Sequence, residues 1–251
     1  MRLSIIFFIL LALSRSFSVA QLINIEAKRK ANQEGLQGFL SLSAGMQKST
    51  INVISAENIV QLQYQRKQNT FLFVNNIAYM KVDSSSIINN GYQHFRHNYA
   101  LGNGAVTSEA FVQNQYNSVR LLKNRFISGI GPRFRLYNKP DTFSIYLSSI
   151  LMYEYEILTD DSTVTNLLRG DVILAIRFLK PRKFGITHTT YYQPDLMNMK
   201  DFRLSSETGL ELFLSEKFSL KISVELAYDS DPPLGIPKLF HSLKNSLKYS
   251  F

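Results

Sequence analysis

Residues 215–230 read SEKFSLKISVELAYDS, and their alternation decides the fold. Phe218, Leu220, Ile222, Val224, Leu226 and Tyr228 fall on one parity, and Ser219, Lys221, Ser223, Glu225 and Asp229 on the other. In an extended strand successive side chains point to opposite faces, so one face is apolar and the other charged. A lysine and a glutamate at the middle of so long a strand mean that its polar face is either bathed in bulk water or enclosed in a polar interior.

The rest of the chain repeats the pattern. Leu36, Gly38, Leu40, Leu42 and Ala44 share one parity; Phe143, Ile145, Leu147, Leu151, Tyr153 and Tyr155 share another, opposite Ser144, Ser148, Glu154 and Glu156. Residues 201–214 alternate in the same way, and weaker candidates lie near 53–66, 70–82, 91–101, 106–117, 123–137, 166–179, 183–193 and 241–251. About twelve strands result, with no helical periodicity after residue 35. They exceed the usual five or six residues of a soluble strand and match the roughly ten that a tilted membrane-spanning strand needs. The expected fold is all-β, an antiparallel up-and-down transmembrane β-barrel over 36–251. A soluble sandwich, with its charges on a wet outer face, is the competing architecture.

Connections carry a second signal. With the N-terminus placed on the periplasmic side, short turns fall at 67–69, 138–141, 181–182 and 215–217, with 101–107 as a longer exception. The alternate connections, 83–90, 158–165, 194–200 and 230–240, are mostly longer. Short turns at one end and long loops at the other are the habit of outer-membrane barrels. In such a barrel the apolar face meets lipid and the polar face lines the lumen. Parity then sends Arg125, Arg133, Arg135, Glu154, Asp171 and Arg177 inward, together with Arg203, Glu207, Glu211, Lys221, Glu225, Asp229 and Lys248. Hairpin counting sets Glu211 opposite Lys221, Arg203 opposite Asp229, Glu207 opposite Glu225 and Arg125 opposite Glu154. An ion-paired, narrow or blocked lumen is the expectation.

The ends of the chain fit export. Arg2, an apolar run from Ile5 to Leu13 and the small residues Ser18-Val19-Ala20 match a secretory signal peptide over 1–20, leaving 21–35 as a short periplasmic segment. The apolar run is too short for a membrane-spanning helix of about 20 residues. Removing Arg2 and Arg15 takes the basic count from 28 to 26 against 19 acids, about +7. These cations are scattered singly, which argues against nucleic acid, and an exported chain meets lipid phosphates more readily; for an outer-membrane barrel the expected partners are outer-membrane lipid and lipopolysaccharide, with barrel-assembly machinery during insertion. There is no cysteine, hence no disulfide and no thiolate metal site. Aromatics gather near strand ends, at Tyr64, Phe126, Tyr137, Phe143, Tyr155, Phe178, Phe184, Tyr192, Phe202, Phe218 and Tyr228, as interfacial girdles would. The terminal Leu247, Tyr249 and Phe251 resemble the closing-strand insertion signal of such barrels.

Four stretches, NRFISGIGPRFRL (124–136), MYEYE (152–156), YYQPDLMNMKDFRL (191–204) and LAYDSDPPLG (226–235), resemble the outer-membrane barrel family of unknown function labelled "salt-induced outer membrane protein". The resemblance implies a Gram-negative outer-membrane location, no assigned reaction, and barrel-shaping positions at Arg125, Gly129, Gly131, Arg133, Glu154, Pro194, Asp201, Arg203, Asp229 and Pro233. A surplus of Asn, Ser and Lys in the outer loops departs from that family.

Signs of catalysis are few. His94 and His97 stand three apart, which on a strand points them to opposite faces, so they cannot share a metal. His188 shares parity with Phe184 and Ile186 on the outer wall, where a barrel lipase carries its histidine. The expectation is a non-enzymatic envelope protein without cofactors or metals; a narrow pore for small anions, or an outer-membrane lipid hydrolase using His188, are the alternatives.

Overall fold

A computed structural model of the chain describes residues 34–48, 52–83, 85–139, 142–159, 163–215 and 218–249. The candidate signal peptide, most of the segment at 21–35, and Phe251 lie outside them. Twelve strands follow one another: β1 (Gly35–Lys48), β2 (Asn52–Arg66), β3 (Asn69–Val82), β4 (Ser85–Leu101), β5 (Val106–Asn117), β6 (Leu122–Lys139), β7 (Phe143–Leu158), β8 (Val164–Lys180), β9 (Phe184–Pro194), β10 (Phe202–Phe213), β11 (Phe218–Asp229) and β12 (Leu239–Tyr249). They form one antiparallel sheet in sequence order. Among the described residues no ladder joins β12 back to β1, so the sheet is rolled without being sealed.

The two faces have opposite chemistry. The convex face carries Leu36, Leu40, Leu62, Ile130, Leu151, Val172, Val224 and Leu226, all exposed. The concave face buries Gln61, Gln63, Arg96, Glu109, Arg125, Arg133, Glu154, Arg169 and Arg203. This is the inverse of a water-soluble sheet. Aromatic rings bound the apolar band. At the end of the short turns Tyr137, Phe143, Phe178 and Phe184 touch in series, with centroids 5.6, 6.5 and 5.8 Å apart. At the other end Tyr192, Phe202 and Tyr228 do the same, at 5.8 and 5.6 Å. Phe184 and Tyr192 stand eight residues apart on β9, roughly 27 Å of strand.

Two expectations require correction. The outer loop at 83–90 does not exist, because β4 begins at Ser85. Val82 instead pairs directly with Ser85, and Asp83, at φ +50°, is tied to the start of β2, its amide donating to the Asn52 carbonyl and its carboxylate accepting from the Asn52 amide, both at 2.8 Å. Long loops are therefore confined to the C-terminal half. The second concerns register. Glu211↔Lys221, Arg203↔Asp229 and Glu207↔Glu225 pair as hairpin counting predicts. Arg125, however, faces Glu156 and not Glu154, because the hairpin closes with Lys139 opposite Phe143, not with Tyr137 opposite Thr142, and the β6–β7 ladder then shifts by one between Arg135 and Tyr137. A bulge near the turn moves every later pair.

Gly131 shows how tightly β6 and β7 approach. A β-carbon there would overlap the Ser149 carbonyl and lie 2.7 Å from the Ile150 Cα. At Gly129 it would meet only ring and methyl atoms of Phe111 and Ile150, which can turn aside. Gly131→Ala is expected to destabilise the sheet by about 1–3 kcal/mol, the usual penalty of forced overpacking, and Gly129→Ala by less. Denaturant unfolding of the two variants in detergent, followed by tryptophan-free far-ultraviolet circular dichroism, would check the order.

Candidate functional site

The concave face is filled by three layers, which β7 displays in sequence. Ser148 leads into Ile150 and Met152, and these into Glu154 and Glu156, all on one parity and all buried.

The uppermost layer, toward the long loops, centres on Glu154, which is 1% exposed. Arg203 of β10 grips both its oxygens, Nη1 donating at 2.9 and 2.7 Å. Arg169 of β8 donates from Nε at 3.4 Å, and Arg125 of β6 stands 3.8 Å away. Glu156 accepts from Arg125 Nε at 2.6 Å and from Arg203 Nη2 at 3.4 Å. Arg203 Nε donates to Asp229 at 3.0 Å, while Arg169 holds Asp201 through Nη2 at 2.9 Å and the Gln193 carbonyl through Nη1 at 3.2 Å. Arg169 meets Asp201 in fork geometry, Nη1 on Oδ1 at 3.3 Å and Nη2 on Oδ2 at 2.9 Å, which satisfies buried charges directionally. The contacts leap from β7 to β10, strands three apart, so the lattice spans the concavity rather than running along it.

Below it Phe111, Ile127, Ile150, Met152, Ile173 and Tyr191 form an apolar cluster. The lowest layer centres on Glu109, fully buried, with Arg96 at 3.8 Å, Arg133 at 4.0 Å and the Ser148 hydroxyl donating at 3.2 Å. Arg96 also donates from Nε to His94 Nε2 at 3.3 Å, and His94 Nδ1 lies 2.9 Å from the Gln113 carbonyl oxygen. A guanidinium can only donate, so Nε2 accepts and the hydrogen sits on Nδ1. Arg96 and Arg133 lie over the rings of Phe111 and Tyr146, at 5.3 and 4.2 Å.

The remaining residues singled out from sequence fall as follows. Asp171 is buried on the concave face. Glu207, Glu211, Lys221 and Glu225 occupy the same parity nearer the short turns: Lys221 reaches Glu207 at 3.8 Å, Glu211 accepts from the Ser219 hydroxyl at 2.6 Å, and Glu225 accepts from Ser242 at 3.1 Å. Arg135 donates to the Asn103 carbonyl at 3.0 Å, and Arg177 is exposed at its strand end. Lys248 and Tyr249 pair in the ladder with Ser219 and Phe218. His188 stands on the convex face, its ring nitrogens 2.8 Å from the Thr208 hydroxyl and 2.9 Å from that of Thr190.

Sequence reading placed Glu156 on the polar parity of its strand without assigning it a partner, and it missed Arg96, Glu109, Arg169 and Arg120. Parity would have found Arg169, which lies two residues from Asp171. Arg120 has no strand signal, since it sits on a short 3-10 turn, Ser118–Arg120, between β5 and β6. That turn leans over the mouth so that the Arg120 guanidinium lies 6.0 Å from the Phe240 ring of β12. With Arg125, Arg203, Glu156 and Asp229 it lines a cleft roofed by Pro232, Pro233 and Pro237. Among the described residues no group of three or more acids and histidines is placed to hold a metal ion.

The family described as "Protein of unknown function, DUF481" matches residues 42–251. The chain belongs to that family. A search of curated proteins returns no match. Among solved structures the chain is similar to a NanC porin in a rhombohedral crystal form (TM-score 0.50, 7% identity, covering 86% of this chain and 98% of that one). It is also similar to a KdgM porin in complex with disordered oligogalacturonate (TM-score 0.44, 10% identity, 80% and 96%). At 7% identity the likeness to the NanC porin concerns the fold alone, an antiparallel up-and-down sheet.

Two outcomes test the site. Glu154→Gln keeps the shape and removes the charge that Arg203, Arg169 and Arg125 share. Breaking one partner of a buried ion pair costs about 3–5 kcal/mol, so the temperature at which the folded band is lost on a detergent gel should fall sharply. An unchanged transition would show that the lattice does not hold the sheet. Arg120 is the opposite case. Burial, and then repulsion by Arg125 and Arg203, pull its guanidinium down to about 10 against the attraction of Asp229 and Glu156. The folded state therefore binds fewer protons than the unfolded one above pH 10, and stability rises with pH there; at neutral pH the charged Arg120 weakens the fold. Arg120→Gln should raise the same transition temperature at pH 7.

Proposed function

We propose that this chain is an integral outer-membrane β-barrel of Gram-negative type, exported by a signal peptide cleaved near Ala20, with a lumen closed by its own side chains. The convex apolar band bounded by aromatic rings supports the membrane location. Strand edges left open in a bilayer would expose backbone groups at several kcal/mol each, so β1 and β12 meet in the membrane-embedded barrel. The single observation that carries the functional reading is the lattice of Glu154 with Arg203, Arg169 and Arg125, stacked on an apolar layer. A general diffusion pore needs an open, wetted bore, and this one is crossed by paired charges and dry side chains. The protein is accordingly a non-enzymatic envelope protein that presents its loops at 159–163, 195–201 and 230–238, in keeping with its likeness to the barrels labelled salt-induced outer membrane protein.

A narrow pore for small anions is the second reading. It is favoured by Arg135, Arg177 and Lys221 on the concave parity near the short turns. A lipid hydrolase has less to support it, since threonine hydroxyls take both nitrogens of His188.

Planar-bilayer recording separates the two readings. The native protein should give no discrete conductance steps, whereas Glu154→Ala combined with Arg203→Ala should open the lumen and give them. Regular anion-selective steps from the native protein would replace the closed barrel by the narrow pore. The fold itself is checked by the gel: unboiled protein from outer membranes should migrate differently from boiled protein, as closed barrels do.

A further inference from the structure

One feature of the convex face does not suit lipid. Asn58 of β2, Asn75 of β3 and Gln93 of β4 share the outward parity of Leu62, Phe73 and Phe95. Their amides form a chain: Asn75 Nδ2 donates to Asn58 Oδ1 at 2.7 Å, and Gln93 Nε2 donates to Asn75 Oδ1 at 3.0 Å. Asn114 of β5 stands next to Gln93 in register and is exposed. Asn75 lies four residues from Phe71 and four from Tyr79, so the row sits at mid-height of the apolar band.

An amide that meets hydrocarbon without a partner carries a desolvation penalty. Two internal bonds relieve part of it. The row remains a donor at one end, where Asn58 keeps its NH2, and an acceptor at the other, where Gln93 keeps its carbonyl oxygen. His188, by comparison, has both nitrogens bonded within its own wall.

We infer that the outer wall of β2 to β5 is the contact face for a second copy of this chain, joined through the Asn58–Asn75–Gln93 amide row. A two-fold axis across the row lays the donor end of one copy against the acceptor end of the other, which is the self-complementarity an isologous contact requires. The row bears no charge, so two copies do not repel, and polar side chains of this type hold membrane segments together across apolar surroundings. Flanking Phe73, Phe95, Ile77 and Val112 supply apolar contact around it.

This inference rests on the barrel reading, and one gel tests both. A photoreactive benzoylphenylalanine is placed in the full chain at Ile77, which pairs with Asn58 beside the row, or at Leu151, an exposed residue of the outer wall of β7. Irradiated outer membranes are run boiled and unboiled. The expected result is an adduct of doubled mass from Ile77, about tenfold stronger than from Leu151, and reduced about tenfold by Asn58→Leu, Asn75→Leu and Gln93→Leu together, the change that 1.4 kcal/mol produces. Equal adducts from both positions, no doubled band, or a Ile77 adduct with lipid alone would overturn the second copy while the heat shift still upholds the barrel. Loss of the heat shift in every sample would overturn the barrel and the contact face with it.

Discussion

The grip of Arg203 on Glu154 is the interaction on which the rest of the concave face depends. It joins β10 to β7 across the roll of the sheet, whereas backbone ladders join only neighbours in sequence. A sheet held by ladders alone can flatten or curl. A guanidinium seated on both oxygens of a carboxylate three strands away sets how tightly it curls. The same two residues draw in Arg125, Arg169, Glu156, Asp201 and Asp229. With Arg120 at the rim, these four arginines stand against Glu154, Glu156, Asp201 and Asp229.

Burying so much charge is justified by what lies outside. The convex face is apolar and ringed by aromatics, so the polar residues of an alternating strand have nowhere to go but inward. Once inward, they are out of bulk water and must find partners. The arginines find carboxylates, and the stems and rings of the intervening layer, Phe111, Met152 and Tyr191, fill the space between the two ionic layers. A concave face filled with paired charges follows from that search for partners.

Much of this was legible in the sequence because it is local. Alternation at period two requires no knowledge of neighbours, so strand number, the outward parity of Leu36 or Val224 and the inward parity of Lys221 or Arg203 follow from counting. Tight hairpins carry the count across, which is why Glu211↔Lys221 and Arg203↔Asp229 could be read from a single turn. The β6–β7 pair escaped the same reasoning. Its turn closes two residues later on β6 than counting assumed, with Lys139 opposite Phe143, and a bulge between Arg135 and Tyr137 inserts a residue that alternation does not reveal, so Arg125 moved from Glu154 to Glu156. The early strands escaped in part as well: the polar run of Asn and Ser before Gly91 looked like a loop, although β4 extends through it, because a strand between two partners is held by its ladders and not by its own propensity.

By itself, then, the sequence determined an all-β chain of about twelve long strands with an apolar outer and a charged inner face, since these are properties of residue spacing. Only the tertiary structure decided that Glu154 would be shared by three arginines from three other strands, that Ile150 and Met152 would form a dry layer among the charges, and that Arg120 would lean from a turn over the mouth toward Phe240. Those contacts depend on the curvature and stagger of the whole sheet, which accumulate from twist and bulges strand by strand. No local pattern records that sum.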